Sequence, residues 1–247
     1  MKKALIIGST VVDVIVNLVD SLPKTGEDVH VRSQHMSLGG CAYNVSDSVR
    51  HFQVPYILFS PVGTGVYGYF VREELKKKGI SSPIPSPNMD NGCCYCFVEN
   101  SGERTFISYH GAEYLFQKDW FDLIDPEEID SVYICGLEIE EVTGSNIVEF
   151  LEKNPQLTVF FAPGPRLTVI DPDLINRIYN LSPILHLNET EALDASGKVT
   201  ISEAGAYLYN KTRNTVIITL GEKGCYYFHG TTEEIVPPVP TIQADTI

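Results

Sequence analysis

Four short segments combine residue types that could bind a polyol, a phosphate or a magnesium ion. The first is Ser37-Leu38-Gly39-Gly40-Cys41-Ala42-Tyr43-Asn44. Paired glycines let a backbone approach a ligand closely. A helix opening after them presents amides with no partner inside the helix, and Asn44, one turn in, offers a side-chain amide to a hydroxyl. A tight loop leading into a helix accounts for the same residues. The second is Gly8-Ser9-Thr10-Val11-Val12-Asp13. A carboxylate just past a first strand lies near the carboxyl edge of a sheet, where open α/β folds bind ligands, and it can accept two hydroxyl hydrogen bonds. Asp13 as a turn or capping residue is the plainer alternative. The third is Leu187-Asn188-Glu189-Thr190-Glu191. Asn188 as N-cap with Glu191 at the third helical position has the spacing of a capping box. Asn188 could equally meet a phosphate or a water, and Glu191 a magnesium-bound water; the two roles are compatible. The fourth is Ile217-Ile218-Thr219-Leu220-Gly221-Glu222-Lys223-Gly224. It reads as a strand, a turn with two glycines and a further strand, either a plain hairpin or a backbone shelf for nucleotide phosphates. It is not a Walker A loop, whose glycine, lysine and hydroxyl spacing is absent.

These segments need elements to position them, and the pattern of apolar residues supplies a series. Lys3 to Gly8 reads as a short strand. After Gly39-Gly40, apolar residues at Ala42, Val45, Val49 and Phe52 fall at helical spacing. A strand at Tyr56 to Ser60 and an amphipathic helix at Tyr69 to Lys78 follow, the latter ending in Lys76-Lys77-Lys78-Gly79. Further on come strand Ser131 to Cys135, helix Ser145 to Glu152, strand Thr158 to Phe161 and helix Pro172 to Tyr179. Strand Ile184 to Leu187, helix Ser202 to Asn210 and strand Thr215 to Thr219 close the series. Alternation of this kind predicts an α/β fold, a mostly parallel sheet with helices on both faces. Two stretches break it. In Val11 to Ser37, apolar and polar residues alternate, and in Cys93 to His110 two alternating runs flank a hairpin signal, Glu99-Asn100-Ser101-Gly102-Glu103. Strands from the two stretches are expected to form a small separate sheet, a lid or an interface.

Bulk properties limit the partners. The chain has 247 residues, 43% of them hydrophobic, with a net charge of −14, enough length for a full core. An acidic chain is repelled by nucleic acid and by anionic membranes, while backbone amides and a metal ion still allow a nucleotide to bind locally. The basic start reaches Asp13 without a cleavage pattern, and no apolar run approaches the ~18 residues of a membrane span; a cytoplasmic protein is expected. Of the six cysteines, Cys93, Cys94 and Cys96 cluster, but on a strand Cys94 and Cys96 share one face and Cys93 takes the other. Packing as small reduced hydrophobes is the expectation.

The order and spacing of the four segments resemble the ribokinase-like (PfkB) carbohydrate kinase family across the whole chain. The matching motifs are Gly39-Gly40 with Asn44, Pro61-Val62-Gly63 with Gly68, and Gly102-Glu103-Arg104-Thr105 in the lid hairpin. Asn188 with Glu191, Thr219 with Gly221 and Gly224, and Asp245-Thr246 complete the set. The resemblance implies one ribokinase-like domain over residues 1–247, with lid strands at about 11–37 and 93–110. It implies substrate contacts from Asp13, Gly39, Gly40, Asn44 and, by a looser match, Glu138. It implies nucleotide contacts from Asn188, Thr219, Gly221 and Gly224, magnesium held through water by Glu191, and a monovalent cation such as K+ near Asp245. The family reaction moves the γ-phosphoryl group of ATP to a hydroxyl. It uses a base in a Gly-Ala-Gly-Asp motif, which by this alignment follows Ile247, so the chain as it stands is expected to lack its catalytic base and the C-terminal part of the fold. With Ile247 as the true terminus, a catalytically dead ligand-binding homologue with exposed apolar surface is expected. Val11 and Cys41 depart from ribokinase itself, and Ala162 stands where several members are acidic. A sugar kinase and a nucleoside or pseudouridine kinase both remain open. Tyr43 could stack on a substrate ring or pack in its helix. Family members often pair through the lid, so a homodimer is expected.

Overall fold

The structure is a computed structural model and describes residues 2–240. Its larger sheet has eight strands. The first is β1 (Lys3–Ile7), where alternate side chains point to opposite layers as a pleated strand requires. Leu5 and Ile7 enter one core with Val132, Ile134, Ile147, Val148 and Leu151. Ile6 enters a second core with Leu58, Ala42, Tyr43 and Val71. Buried on both faces, β1 reads as a continuous apolar run, the mark of a parallel-sheet interior.

Four of the remaining elements in the first half form a smaller sheet. They are β2 (Val11–Leu18), β3 (Val31–Gly39), β5 (Cys93–Val98) and β6 (Arg104–Tyr109), in the order β3-β2-β5-β6. Between them lie α1 (Cys41–His51), β4 (Tyr56–Phe59) and α2 (Val66–Lys77). The second half supplies β7 (Ile129–Cys135), α3 (Gly136–Glu140), α4 (Gly144–Lys153), β8 (Thr158–Ala162), α5 (Pro172–Asn180) and β9 (Ile184–Asn188). It ends with α6 (Glu189–Ser196), α7 (Ile201–Thr212), β10 (Val216–Thr219), β11 (Cys225–His229) and β12 (Thr232–Val236). The large sheet runs β12-β11-β10-β9-β8-β7-β1-β4, parallel from β4 to β10. A final antiparallel hairpin, β11–β12, extends it.

Helices cover both faces, as the alternation predicts. On α4 the buried Ile147, Val148 and Leu151 form a stripe at helical spacing, and Ala204 and Leu208 do the same on α7. On the opposite face, α1 sits over β1, β4 and β7. Farther along that face a cavity of about 400 Å³ is lined by Tyr133, Phe160, Ile184 and Ile217, and Phe160 is 41% exposed.

The two irregular stretches pair with each other, β2 lying parallel to β5 and antiparallel to β3. One face of this sheet carries Val12, Val14, Val16, Cys93, Tyr95 and Phe97 and packs against Val71 and Leu75 of α2. The opposite face carries Asp13, Ile15 and Asn17. Their register partners are Ser37, His35 and Ser33 on β3 and Cys94, Cys96 and Val98 on β5.

Two of the boundaries that differ from the sequence reading adjoin the small sheet. Helix α2 begins at Val66, three residues before the expected Tyr69, because the Gly68 N–H donates to Asp90 Oδ1 at 2.9 Å and its first turn is held from outside. Strand β3 continues past residue 37 to Gly39, paired with Val11. All six cysteines are free thiols. Among the described residues no group of three or more His, Cys, Asp or Glu side chains could hold a metal, and no helix is long and apolar enough to cross a membrane.

Candidate active site

The inner face of the small sheet and the start of α1 enclose a cavity of about 600 Å³. Its polar lining is Asp13, Asn17, His35, Ser37, Asn44 and Arg104; Ile15, Leu38, Cys96 and Phe106 supply apolar surface. Two of the predicted substrate residues, Asp13 and Asn44, therefore share one cavity. Asp13 is half-buried, and that burial raises its carboxyl above the ordinary 3.8. The requirement for glycine at position 39 is steric, since a Cβ there would lie 1.8 Å from Asp13 Oδ2. At Gly40 the backbone has φ +95°, and a Cβ would stand 2.6 Å from the Ser9 carbonyl. The glycine pair thus lets the carboxylate and the β1–β2 turn close onto the loop.

The start of α1 is not an open anion site. The Ala42 and Tyr43 N–H groups both donate to the Ser9 carbonyl, at 3.2 and 3.4 Å, and the Asn44 N–H donates to Gly40. The amides expected to face a ligand are occupied by the neighbouring turn. Tyr43 is buried in the second core, so its ring packs in the helix interface. Glu138, expected to contact substrate, is 1% exposed and outside the cavity lining. Its carboxylate accepts the Ser9 N–H at 2.7 Å and the Cys135 S–H at 2.8 Å. A buried carboxylate needs such donors, and these tie the β1–β2 turn to the end of β7.

The other predicted cluster lies along the same carboxyl edge. Thr219 is the register partner of Asn188, and the Thr219 hydroxyl donates to the Leu187 carbonyl at 3.4 Å. The capping box is complete: Glu191 N–H to Asn188 Oδ1 at 2.8 Å, and Asn188 N–H to Glu191 Oε2 at 2.9 Å. Gly221 has φ +58° with open space around its Cα, whereas a Cβ on Gly224 (φ +92°) would stand 2.1 Å from the Val236 carbonyl. One glycine supplies an accessible turn and the other lets β12 pack behind it. Three strand spacings, about 14 Å, separate β9 from β1 in the large sheet. Between them Arg166 pairs with Glu140, which holds the Glu140 carboxyl below its ordinary value.

A magnesium ion fits this edge through water. Magnesium keeps several waters and is commonly held by one or two carboxylates together with substrate phosphates. Glu191, in the first turn of α6 just past the end of β9, suits that mode. Asp245 lies outside the described residues.

Sequence reading missed Asn17, His35 and Phe106 as cavity residues and used Arg104 only as part of a motif. The available signal was period-two alternation, because Asn17 follows Asp13 at i+4 on the same face of β2. His35 and Phe106 depend on pairing register, which a single strand does not reveal.

Comparison with known proteins agrees with the architecture. Residues 1–247 match the family described as pfkB family carbohydrate kinase. The chain is 30% identical over 250 residues to an uncharacterized sugar kinase, YegV, of Escherichia coli K12, covering all of this chain and 78% of that protein. Among solved structures it resembles ribokinase of Giardia lamblia, with a TM-score of 0.85 at 22% identity over 99% of this chain and 78% of that one. It also resembles a putative ribokinase II of E. coli in complex with ATP and magnesium, with a TM-score of 0.78 at 20% identity over 99% and 81%. A parallel sheet with a polar cavity and a capped Asn-Glu turn along one edge, together with a family match over its full length, makes this chain a member of the pfkB family of carbohydrate kinases.

Proposed function

We propose that the protein transfers the γ-phosphoryl group of ATP to a hydroxyl of a sugar or sugar-like acceptor bound beneath the small sheet, which acts as a lid. The observation that carries this reading is the placement of Asp13 and Asn44 in one cavity between the small sheet and the start of α1, in a chain whose large sheet bears Asn188, Glu191 and the Thr219–Gly224 turn at the carboxyl ends of β9 and β10. Asp13 accepts hydrogen bonds from two acceptor hydroxyls and Asn44 orients a third polar group, while Gly39 leaves room for the Asp13 carboxylate and Gly40 for the β1–β2 turn that shape the acceptor site. Thr219, Gly221, Gly224 and Asn188 line the nucleotide side. Magnesium, when bound, would neutralise phosphate oxygens, and Glu191 would hold it through water.

Phe106 favours a second acceptor class. Its ring lines the cavity and is 60% exposed, a surface on which a nucleobase could stack. The lid edge also supports a homodimer, since Phe106, Ile107 and Tyr109 leave apolar surface along β6. Light scattering at micromolar concentration should give twice the chain mass, and a monomer would remove the dimer. ADP formation with ATP and magnesium, measured across a panel of pentoses, hexoses, sugar phosphates and nucleosides, tests the function. Turnover confined to sugars supports the first reading and turnover confined to nucleosides the second. Binding of a panel member without turnover by the full-length protein would identify a non-catalytic homologue.

A further inference from the structure

The small sheet joins the body at four strand roots, and each carries glycine: Gly8 before β2, Gly39-Gly40 at the end of β3, Gly92 before β5 and Gly111 after β6. The roots touch in two pairs through bare backbone. A Cβ on Gly40 would stand 2.6 Å from the Ser9 carbonyl, and one on Gly111 would stand 2.2 Å from the Gly92 nitrogen. Such a row bends easily unless side chains fasten it.

Two fully buried polar side chains do so. Asn91 accepts the Gly63 N–H at 2.7 Å and donates to the Thr10 carbonyl at 3.0 Å, joining the β5 root to the β2 root and to the loop after β4. Glu113 accepts the Gly92 N–H at 2.8 Å and the Gly111 N–H at 3.1 Å, clamping the β5 and β6 roots together. Each is 0% exposed. Burial raises the Glu113 carboxyl even though these N–H groups act the other way, so the clamp is kept at an electrostatic cost that apolar packing would not carry. Beside it, Asp90 holds the first turn of α2 through Gly68.

We infer that Asn91 and Glu113 are positioning residues that set the angle of the small sheet, and hence the width of the cavity between Asn44 on the body and Arg104 and Phe106 on the sheet. The inference rests on the reading of that cavity as the acceptor site. Its test reads the hinge without requiring turnover, so failure of the kinase reading stays distinguishable. Hydrogen–deuterium exchange is compared between the full-length protein and its Glu113→Gln and Asn91→Asp variants. In the first, one carboxamide oxygen cannot serve both N–H groups, and its NH2 confronts a donor; in the second, an acceptor meets the Thr10 carbonyl. Amides of 93–98 and 104–109 are expected to exchange about tenfold faster, with β8 and β9 unchanged. With whichever panel acceptor the wild type turns over best, KM for the acceptor should rise while KM for ATP holds. Faster exchange throughout the molecule, no change in the small sheet, or failure of both variants to fold would each assign these side chains to general stability and overturn the inference.

Discussion

The Gly39→Ala substitution separates the structural from the binding role of the glycine loop. The new methyl would meet Asp13 Oδ2 at 1.8 Å, Cγ at 2.5 Å and Oδ1 at 2.9 Å, so the carboxylate must leave its place. Position 39 has no left-handed φ, and the atoms that yield belong to a half-buried side chain. Overpacking of this kind costs about 1–3 kcal/mol, a fall in Tm of about 2–4 °C per kcal/mol for a domain of this size. The loss in acceptor binding should be larger in proportion. A hydrogen bond to a charged group contributes about 1.5–3 kcal/mol, so removal of even one Asp13 contact weakens the acceptor by roughly 10- to 100-fold. The assay pairs a thermal melt with acceptor and ATP titrations on the variant. The Gly40→Ala variant is the control: its methyl meets the Ser9 carbonyl at φ +95°, the backbone cannot swing aside, and the melt should suffer more. If Gly39→Ala lowers Tm yet leaves acceptor KM within about twofold, Asp13 does not anchor the acceptor and the reasoning is wrong.

Other consequences are open to direct measurement. Asp13 titrates above 3.8 in the folded chain, so between the unfolded and folded values the native state binds more protons. Stability from this group therefore falls as pH rises through that window, and Asp13→Asn should flatten that part of a urea-melt pH series. Loss of the capping box in Asn188→Ala should cost about 1 kcal/mol in chemical denaturation and raise KM for ATP without moving that of the acceptor. Gly221→Ala, in open space, should cost only the roughly 1–2 kcal/mol of a left-handed residue, whereas Gly224→Ala adds a clash with the Val236 carbonyl and should melt markedly lower.

Regular alternation of strand and helix segments made the large sheet legible, and the apolar run of β1 fits it because Leu5 and Ile7 enter one core and Ile6 the other. The small sheet was legible as strands, and Asp13, Asn188 and Glu191 stood out as candidates because their chemistry is written locally. What stayed hidden depends on the third dimension. His35 reaches the cavity because β3 pairs with β2 in one register, and a one-residue slip would turn it away. Glu138 looked like a ligand contact by its place after β7, but its partners, Ser9 and Cys135, come from two strand ends that no local pattern links. The closed start of α1 has the same cause, the Ser9 carbonyl arriving from a distant turn. Asn91 sits in a loop and Glu113 in a single 3-10 turn (Ala112–Tyr114), neither with a periodicity, so a buried carboxylate and a surface one look alike in sequence.

Transfer of label from ATP carrying a marked γ-phosphoryl group tests the central claim most directly. With the full-length protein, magnesium and the best panel acceptor, the label should appear covalently on the acceptor in step with ADP, and Asp13→Ala should suppress it. Release of the label as inorganic phosphate, or no ADP with any acceptor, would contradict phosphoryl transfer from this site.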